Sequence, residues 1–208
     1  MDVKAHWENV YLTKADSEVS WYQQIPVTSL KLVENLNLRI SDPIIDIGGG
    51  NANFVSKLLK KGYKDLTVLD ISGNALKRSK LKLGLESEKI IWIESDVLKF
   101  KPTVKYHVWH DRATFHFLTK REDLIVYKAV LEDALLPGGK FILSTFSKNG
   151  PTHCSGLDIC QHNADDLLQL FGDLFELITE FQEDHITPSG GIQNFTFTVW
   201  RSVKQDLQ

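Results

Sequence analysis

A short apolar run that ends in glycines and then gives way to a helical pattern constrains this chain more than any other feature. Pro43-Ile44-Ile45-Asp46-Ile47 reads as a buried strand and Gly48-Gly49-Gly50 breaks it. Phe54, Val55, Leu58 and Leu59 then fall on one face of a helix over residues 53–61. The same change of period recurs downstream. Residues 66–69 form a second strand closed by Asp70, and Ser72 caps a helix to about residue 83. Residues 89–93 and 106–109 are a third and a fourth strand. The longest helix spans 120–136, with Leu124, Tyr127, Val130, Leu131 and Leu135 periodic. Leu136-Pro137-Gly138-Gly139 stops it before a fifth strand at 140–146. Strands alternating with helices in this way predict an α/β fold built on a parallel sheet.

The end of the chain departs from that rhythm. After a helix at 164–171, a strand at 174–183 and the loop Pro188-Ser189-Gly190-Gly191, residues 195–200 alternate Phe, Thr, Phe, Thr, Val, Trp. Two strands joined by so short a loop cannot be parallel, so the sheet is expected to finish in an antiparallel hairpin. At the other end, residues 1–40 are expected to be helical and amphipathic. They crowd Trp7, Tyr11, Trp21 and Tyr22 into one leader segment.

Composition narrows the classes. Hydrophobic residues are 42% and charged residues 25% of 208, which excludes a disordered or fibrous chain. One domain over 1–208 is expected: an N-terminal segment at 1–40 and a core at 41–201. The 24 basic and 27 acidic residues leave a net charge of -3, with no nucleic-acid footprint. Residues 77–82 are a solvated helix face. Two cysteines build no disulfide framework. Residues 1–8 lack the apolar run of a signal peptide, and no stretch is long and apolar enough to span a membrane. A cytoplasmic protein without membrane association is expected.

The glycine loop, Asp46-Ile47-Gly48-Gly49-Gly50-Asn51, sits between a strand and a helix. Glycine there admits positive φ and close approach of a ligand, and the helix N-terminus behind it carries partial positive charge. A dinucleotide fingerprint needs its third glycine where Asn53 stands, and a phosphate loop needs a Gly-Lys-Ser/Thr that is absent. The loop therefore suits a ligand without a pyrophosphate. Asp70 ends the second strand at the spacing of a ribose-binding acid. Asp96 follows the third strand, where its carboxylate can accept from an adenine amino group while Val97 covers the ring. With Asp46, three acids stand at the carboxyl ends of three successive strands, where open α/β sheets bind ligands. Any one of them alone is equally a helix cap; the set with the glycine loop points to a nucleoside.

The glycine loop, Val68-Leu69-Asp70, Ser95-Asp96-Val97 and Leu136-Pro137-Gly138-Gly139, in this order and spacing, resemble the motifs of the class I S-adenosylmethionine-dependent methyltransferases over about residues 40–201. The resemblance implies a Rossmann-like seven-stranded sheet with helices on both faces and a C-terminal antiparallel hairpin. It implies S-adenosyl-L-methionine as cofactor, with S-adenosyl-L-homocysteine as product, held by Asp46, Gly48, Gly49, Gly50, Asn51, Asp70, Ile71, Asp96 and Val97. Gly48 and Gly50 would pack under the methionine part, Asp70 would hold the ribose and Asp96 the adenine. Ala52 departs from the commonest pattern, which has a third glycine there. His6-Trp7-Glu8, Val19-Ser20-Trp21-Tyr22 and Trp109-His110-Asp111-Arg112-Ala113 also resemble a bacterial-type subgroup with no settled substrate.

Methyl transfer from a sulfonium is an in-line displacement. Alignment alone can supply roughly 7–11 kcal/mol, and a base is needed only if the acceptor arrives protonated. Asp111 and His110, after the fourth strand, are candidates to orient or deprotonate an acceptor. Arg112 can pair with an anionic substrate or hold Asp111 in a structural ion pair. Trp7, Tyr11, Trp21 and Tyr22 form either a lid with the acceptor pocket beneath it or a helix packed on the sheet edge. Cys154 borders the acceptor pocket or simply packs. His107 and His116 are expected to be core or surface residues, and Cys154, Cys160 and His162 match no zinc spacing. The expected activity is methyl transfer to a small-molecule or exposed acceptor. The rival readings are a protein-lysine or RNA acceptor, a non-catalytic adenosyl-ligand module and a nucleotide-dependent oxidoreductase.

Overall fold

The computed structural model describes residues 2–204. Its elements run α1 (Val3–Thr13), α2 (Val27–Glu34), β1 (Ile44–Ile47), α3 (Asn53–Lys60), β2 (Leu66–Asp70), α4 (Gly73–Leu83), β3 (Ile90–Glu94), β4 (Tyr106–Arg112), α5 (Arg121–Ala134), β5 (Leu135–Phe146), β6 (His153–Cys154), β7 (Leu157–Asp158), α6 (Ala164–Phe171), β8 (Phe175–Ile186) and β9 (Ile192–Ser202). Seven strands form one sheet in the order β3-β2-β1-β4-β5-β9-β8. The first five are parallel, while β9 is antiparallel to both β5 and β8. This is the Rossmann-like methyltransferase architecture, with its terminal hairpin.

Strand alternation divides the core in two. Ile44, Val68, Val108, Ile142 and Val199 meet α2, α3 and α4 through Leu30, Val33, Phe54, Leu58 and Leu76. Their sequence neighbours Ile45, Leu69, Trp109, Phe141 and Trp200 face the other way, onto Tyr127 and Leu131 of α5 and Leu167 and Phe171 of α6. All four residues of β1 are buried, as a central strand covered on both faces requires.

Three expectations are corrected. The N-terminal segment is not helical throughout: it holds two helices, the second opening at Pro26 where the pattern of Leu30 and Val33 begins. A 3₁₀ turn at Asp16–Glu18 and extended chain separate them, and Pro26, which cannot donate a backbone hydrogen bond, is the N-cap of α2. Trp21 and Tyr22 therefore lie on an irregular strap. Leu136-Pro137-Gly138-Gly139 is not the stop between helix and strand. The helix ends at Ala134, and Leu135 already pairs with Tyr106 ahead of a register shift in β4. The hairpin strands are also longer than their apolar cores suggest, because pairing extends to Ile186 and Ile192 beyond the alternating stretch. The small hairpin β6–β7 turns at Ser155 and Gly156, both at positive φ, the geometry of a tight two-residue hairpin loop.

Candidate active site

The carboxyl ends of β1, β2 and β3 open into a cleft whose empty space, mouth included, is about 950 Å³, the size of a small-molecule site. Gly48, Asp70, Ile71, Asp96 and Val97 line it. Gly48 has φ +64°, and a Cβ there would collide with Thr114 Oγ1. A Cβ at Gly50 would collide with the Tyr11 hydroxyl and press on the Asp70 carboxylate. Both glycines are thus required by close approach. Ala52 takes φ +53° at the N-cap of α3, a left-handed conformation that alanine adopts at a cost. Asp70 is 4% exposed and its Oδ1 accepts from Ser72 N at 2.8 Å. Burial pushes its carboxyl up to about 7. Asp96 accepts from Leu98 N at 3.0 Å and is half-buried, leaving acceptor capacity for a ligand. Leu69, Leu98 and Leu118 supply apolar walls. A buried acid, a half-buried acid and an apolar slot between them suit the ribose and adenine of a nucleoside.

A second, smaller cleft lies across the glycine loop, lined by Asp46, Gly49, Asn51, Asn53, His110 and Arg112. Asp46 and Asn51 therefore line this second cleft and not the one that Asp70 lines.

Helix α1 lies across the larger cleft, to which it contributes Val3, Trp7 and Tyr11. Its anchor is Glu8. One carboxylate oxygen accepts from Ser72 Oγ and Asn74 N, both at 2.9 Å, and the other from Gly73 N at 2.8 Å. A side chain of α1 thereby caps α4, whose first-turn N–H groups have no intrahelical partner. Hydrogen bonding by Ser72, Gly73 and Asn74 outweighs desolvation, the largest single influence, and holds the Glu8 carboxyl below its usual range. Arg78 ties the other end, donating to the Tyr11 and Lys14 carbonyls and to Asp16 at 2.5 Å. Trp7 meets Trp21 and Phe117 edge to face, at 5.6 and 5.0 Å between ring centroids. Trp21 and Phe117 line the cleft as well. The structure brings together Trp7, Tyr11 and Trp21; Tyr22 lies outside both clefts.

Beyond β4 the expected residues separate. His110 is 2% exposed and its two ring nitrogens contact Asp46 Oδ1 at 2.7 Å and Ser29 Oγ at 2.8 Å, with Phe54 stacked on the ring. Asp111 is fully buried on the opposite face of the strand. It accepts from the Tyr127 hydroxyl at 2.8 Å and from Thr114 N and Phe115 N at 3.2 Å. Asp111 lines neither cleft, which corrects the expectation that it reaches an acceptor. Burial pushes its carboxyl up to about 7. The Asp111–Arg112 pair is not formed either, because successive residues of a strand point to opposite faces. Arg112 lines both clefts. Its Nη1 donates to the Trp21 carbonyl at 3.0 Å, and its guanidinium lies 5.1 Å from the Phe195 ring. Cys154 is 6% exposed in an apolar cluster with Phe146, Phe195 and Phe197. It packs there and does not border either cleft.

The capping role of Glu8 and the positions of Ser29, Thr114, Phe117 and the Tyr127 hydroxyl have no assignment from the sequence. Two of them carry a signal there: Glu8 belongs to the motif His6-Trp7-Glu8, and Tyr127 falls on the periodic face of the longest helix with a hydroxyl that needs a partner.

The seven-stranded sheet, with its glycine loop and the acids near its strand ends, defines a class I S-adenosylmethionine-dependent methyltransferase. Residues 26–131, just over half of the chain, match the family described as ribosomal RNA adenine dimethylase, and the chain belongs to that family. The chain is 24% identical over 197 residues to EEF1A lysine methyltransferase 2 of Mus musculus, covering 86% of this chain and 74% of that protein. Among solved structures, one described under the conversion of a disulfide bond into a thioacetal group during echinomycin biosynthesis superposes with a TM-score of 0.79 at 16% identity. The match covers 96% of this chain and 93% of that one. The N-methyltransferase NodS from Bradyrhizobium japonicum, solved with S-adenosyl-L-homocysteine, superposes with a TM-score of 0.70 at 15% identity, covering 98% and 100%. At such identities the structural likeness speaks for the fold. Among the described residues no helix is long and apolar enough to cross a membrane.

Proposed function

We propose that this methyltransferase transfers its methyl group to the nitrogen of an amine, carried by a small molecule or an exposed side chain. The observation that carries the reading is the aromatic wall of Trp7, Trp21 and Phe117 beside the cofactor acids. Such rings exclude water and favour a cationic centre at their faces, which an amine becomes as the new N–C bond forms. Bound S-adenosylmethionine supplies an activated methyl group. Asp70 and Asp96 hold the nucleoside, Gly48 and Gly50 leave room for the methionine part, and α1 closes over both. An acceptor that arrives as the free amine meets the donor with its lone pair free. No strong base is then required, in keeping with the hydrogen bonds that already occupy His110 and Asp111. The names of two relatives, a lysine methyltransferase and an N-methyltransferase, support nitrogen as the accepting atom.

The test is a panel of primary and secondary amines, lysine peptides, thiols and alcohols, read as S-adenosylhomocysteine released and as the atom methylated. Amines should turn over roughly 100-fold faster than the other classes. Trp7→Ala should lower turnover about tenfold or more while leaving donor affinity within about threefold. Methylation confined to thiols or oxygens would end the reading.

A further inference from the structure

We infer that Arg112 anchors a carboxylate on the methyl acceptor, so that the amine and the acid belong to one small molecule. The amine half of that statement rests on the reading above; the carboxylate half stands on Arg112 itself.

A guanidinium offers five N–H donors and stays charged at any ordinary pH. Among the described residues only Nη1 of Arg112 has a partner, the Trp21 carbonyl. Nε and Nη2 are buried and have no hydrogen-bond acceptor among the described residues. Their two parallel N–H groups form the edge that meets both oxygens of a carboxylate at once. Burial lowers the pKa of the group to about 10, and Glu183 and Asp46 act on it only at a distance. Arg112 is therefore a cation at neutral pH, desolvated on its most specific edge and without a counter-ion. Folded proteins rarely leave such a group unmatched without a use for it.

Its place in the fold selects the acceptor over the donor. The nucleoside acids lie at β2 and β3. Arg112 ends β4 and leans on Phe195 of β9, towards the hairpin, where it lines both clefts. The free edge is closed from water, and Nη1 holds the strap that carries Trp21.

The experiment measures binding and needs no knowledge of the true acceptor. Wild-type protein saturated with S-adenosylhomocysteine is titrated with 4-aminobutanoate, glycine and benzoate, each beside the amide that replaces its carboxylate, at constant ionic strength; benzoate and benzamide, which lack an ammonium group, separate the carboxylate from the net charge. Calorimetry and the thermal midpoint are read. At least one carboxylate should bind and its amide should not. Arg112→Gln should abolish the difference, and Arg112→Lys, a point charge without the fork, should weaken it roughly tenfold. Absence of any acid–amide difference in the wild type, or its persistence in Arg112→Gln, would overturn the proposal. A parallel arm compares S-adenosylhomocysteine with 5′-methylthioadenosine, which has no carboxylate. Arg112→Gln should change both affinities by less than about threefold. A selective loss for S-adenosylhomocysteine would assign the edge to the donor's own acid and overturn the proposal. Should Arg112→Gln fail to fold, Arg112→Lys carries both arms. Failure of the amine panel leaves these binding results intact, so the two readings fail separately.

Discussion

Asp70 ends β2, and Asp111 lies one residue from the end of β4. Both are buried, and burial pushes both carboxyls up to about 7. Their surroundings differ. Asp70 takes a hydrogen bond from Ser72 and faces the cleft, whereas Asp111 is saturated by Tyr127, Thr114 and Phe115 on the far face of the sheet. Burial and a raised pKa therefore do not separate a cleft-lining acid from one locked in the core. Whether protein donors already occupy the carboxylate does.

Substitutions can break that comparison. The largest effect belongs to Asp111→Ala, which strips three donors of their acceptor. A loss of about 3–5 kcal/mol is expected, read by chemical denaturation, with donor affinity of the folded protein nearly unchanged. Lost turnover at full stability would instead return Asp111 to the catalytic site. Asp70→Asn should do the opposite. Donor affinity should fall by about 2–3 kcal/mol, the worth of hydrogen bonds to a charged group, with an unchanged or higher thermal midpoint.

The same pair of proteins sharpens the contrast through pH. The carboxyl of Asp70 titrates near 7 when folded and near 3.9 when unfolded. Its contribution to stability is fully present below about pH 4 and is lost as pH rises through 7. Asp70→Asn should therefore gain on the wild type between pH 5 and 8. Over the same range wild-type donor affinity should rise as the carboxylate ionises, and the variant should stay flat.

A buried base gives a smaller effect of opposite sign. His116 stacks on Phe146 with both ring nitrogens unpartnered among the described residues, and burial lowers its pKa to about 3. Its contribution is present above about pH 6.5, the unfolded value, and is lost as pH falls from there towards 3. His116→Phe should remove that acid loss and add about 1 kcal/mol at neutral pH, as thermal melts across the range will show. The smallest change is Ala52→Gly, which relieves a left-handed alanine and should stabilise by about 0.5–1 kcal/mol.

The glycine-loop side of the cleft lining is legible because its signals are local. Asp46 lies within β1, Asp70 ends β2, and the glycine loop and Asp96 come just after strands, so backbone geometry leaves them little choice of direction. Around β4 the reading treated His110, Asp111 and Arg112 as one cluster, although a strand sends neighbours to opposite faces. Trp109 and Asp111, two residues apart, both bond the Tyr127 hydroxyl, and that period of two was available in the sequence. The strap at Trp21 and the packing of Cys154 were not. They depend on contacts between residues more than 100 positions apart, such as Ser20 with His185 and Cys154, which no local pattern encodes.

The cap that Glu8 lends to α4 makes two backbone amides into a clock. Gly73 N and Asn74 N are shielded by a carboxylate from another helix, and neither residue lines the cleft. Their hydrogen–deuterium exchange records how often α1 leaves. A donor that keeps α1 in place slows exchange at two sites it never touches, and the length of its stay can be timed there.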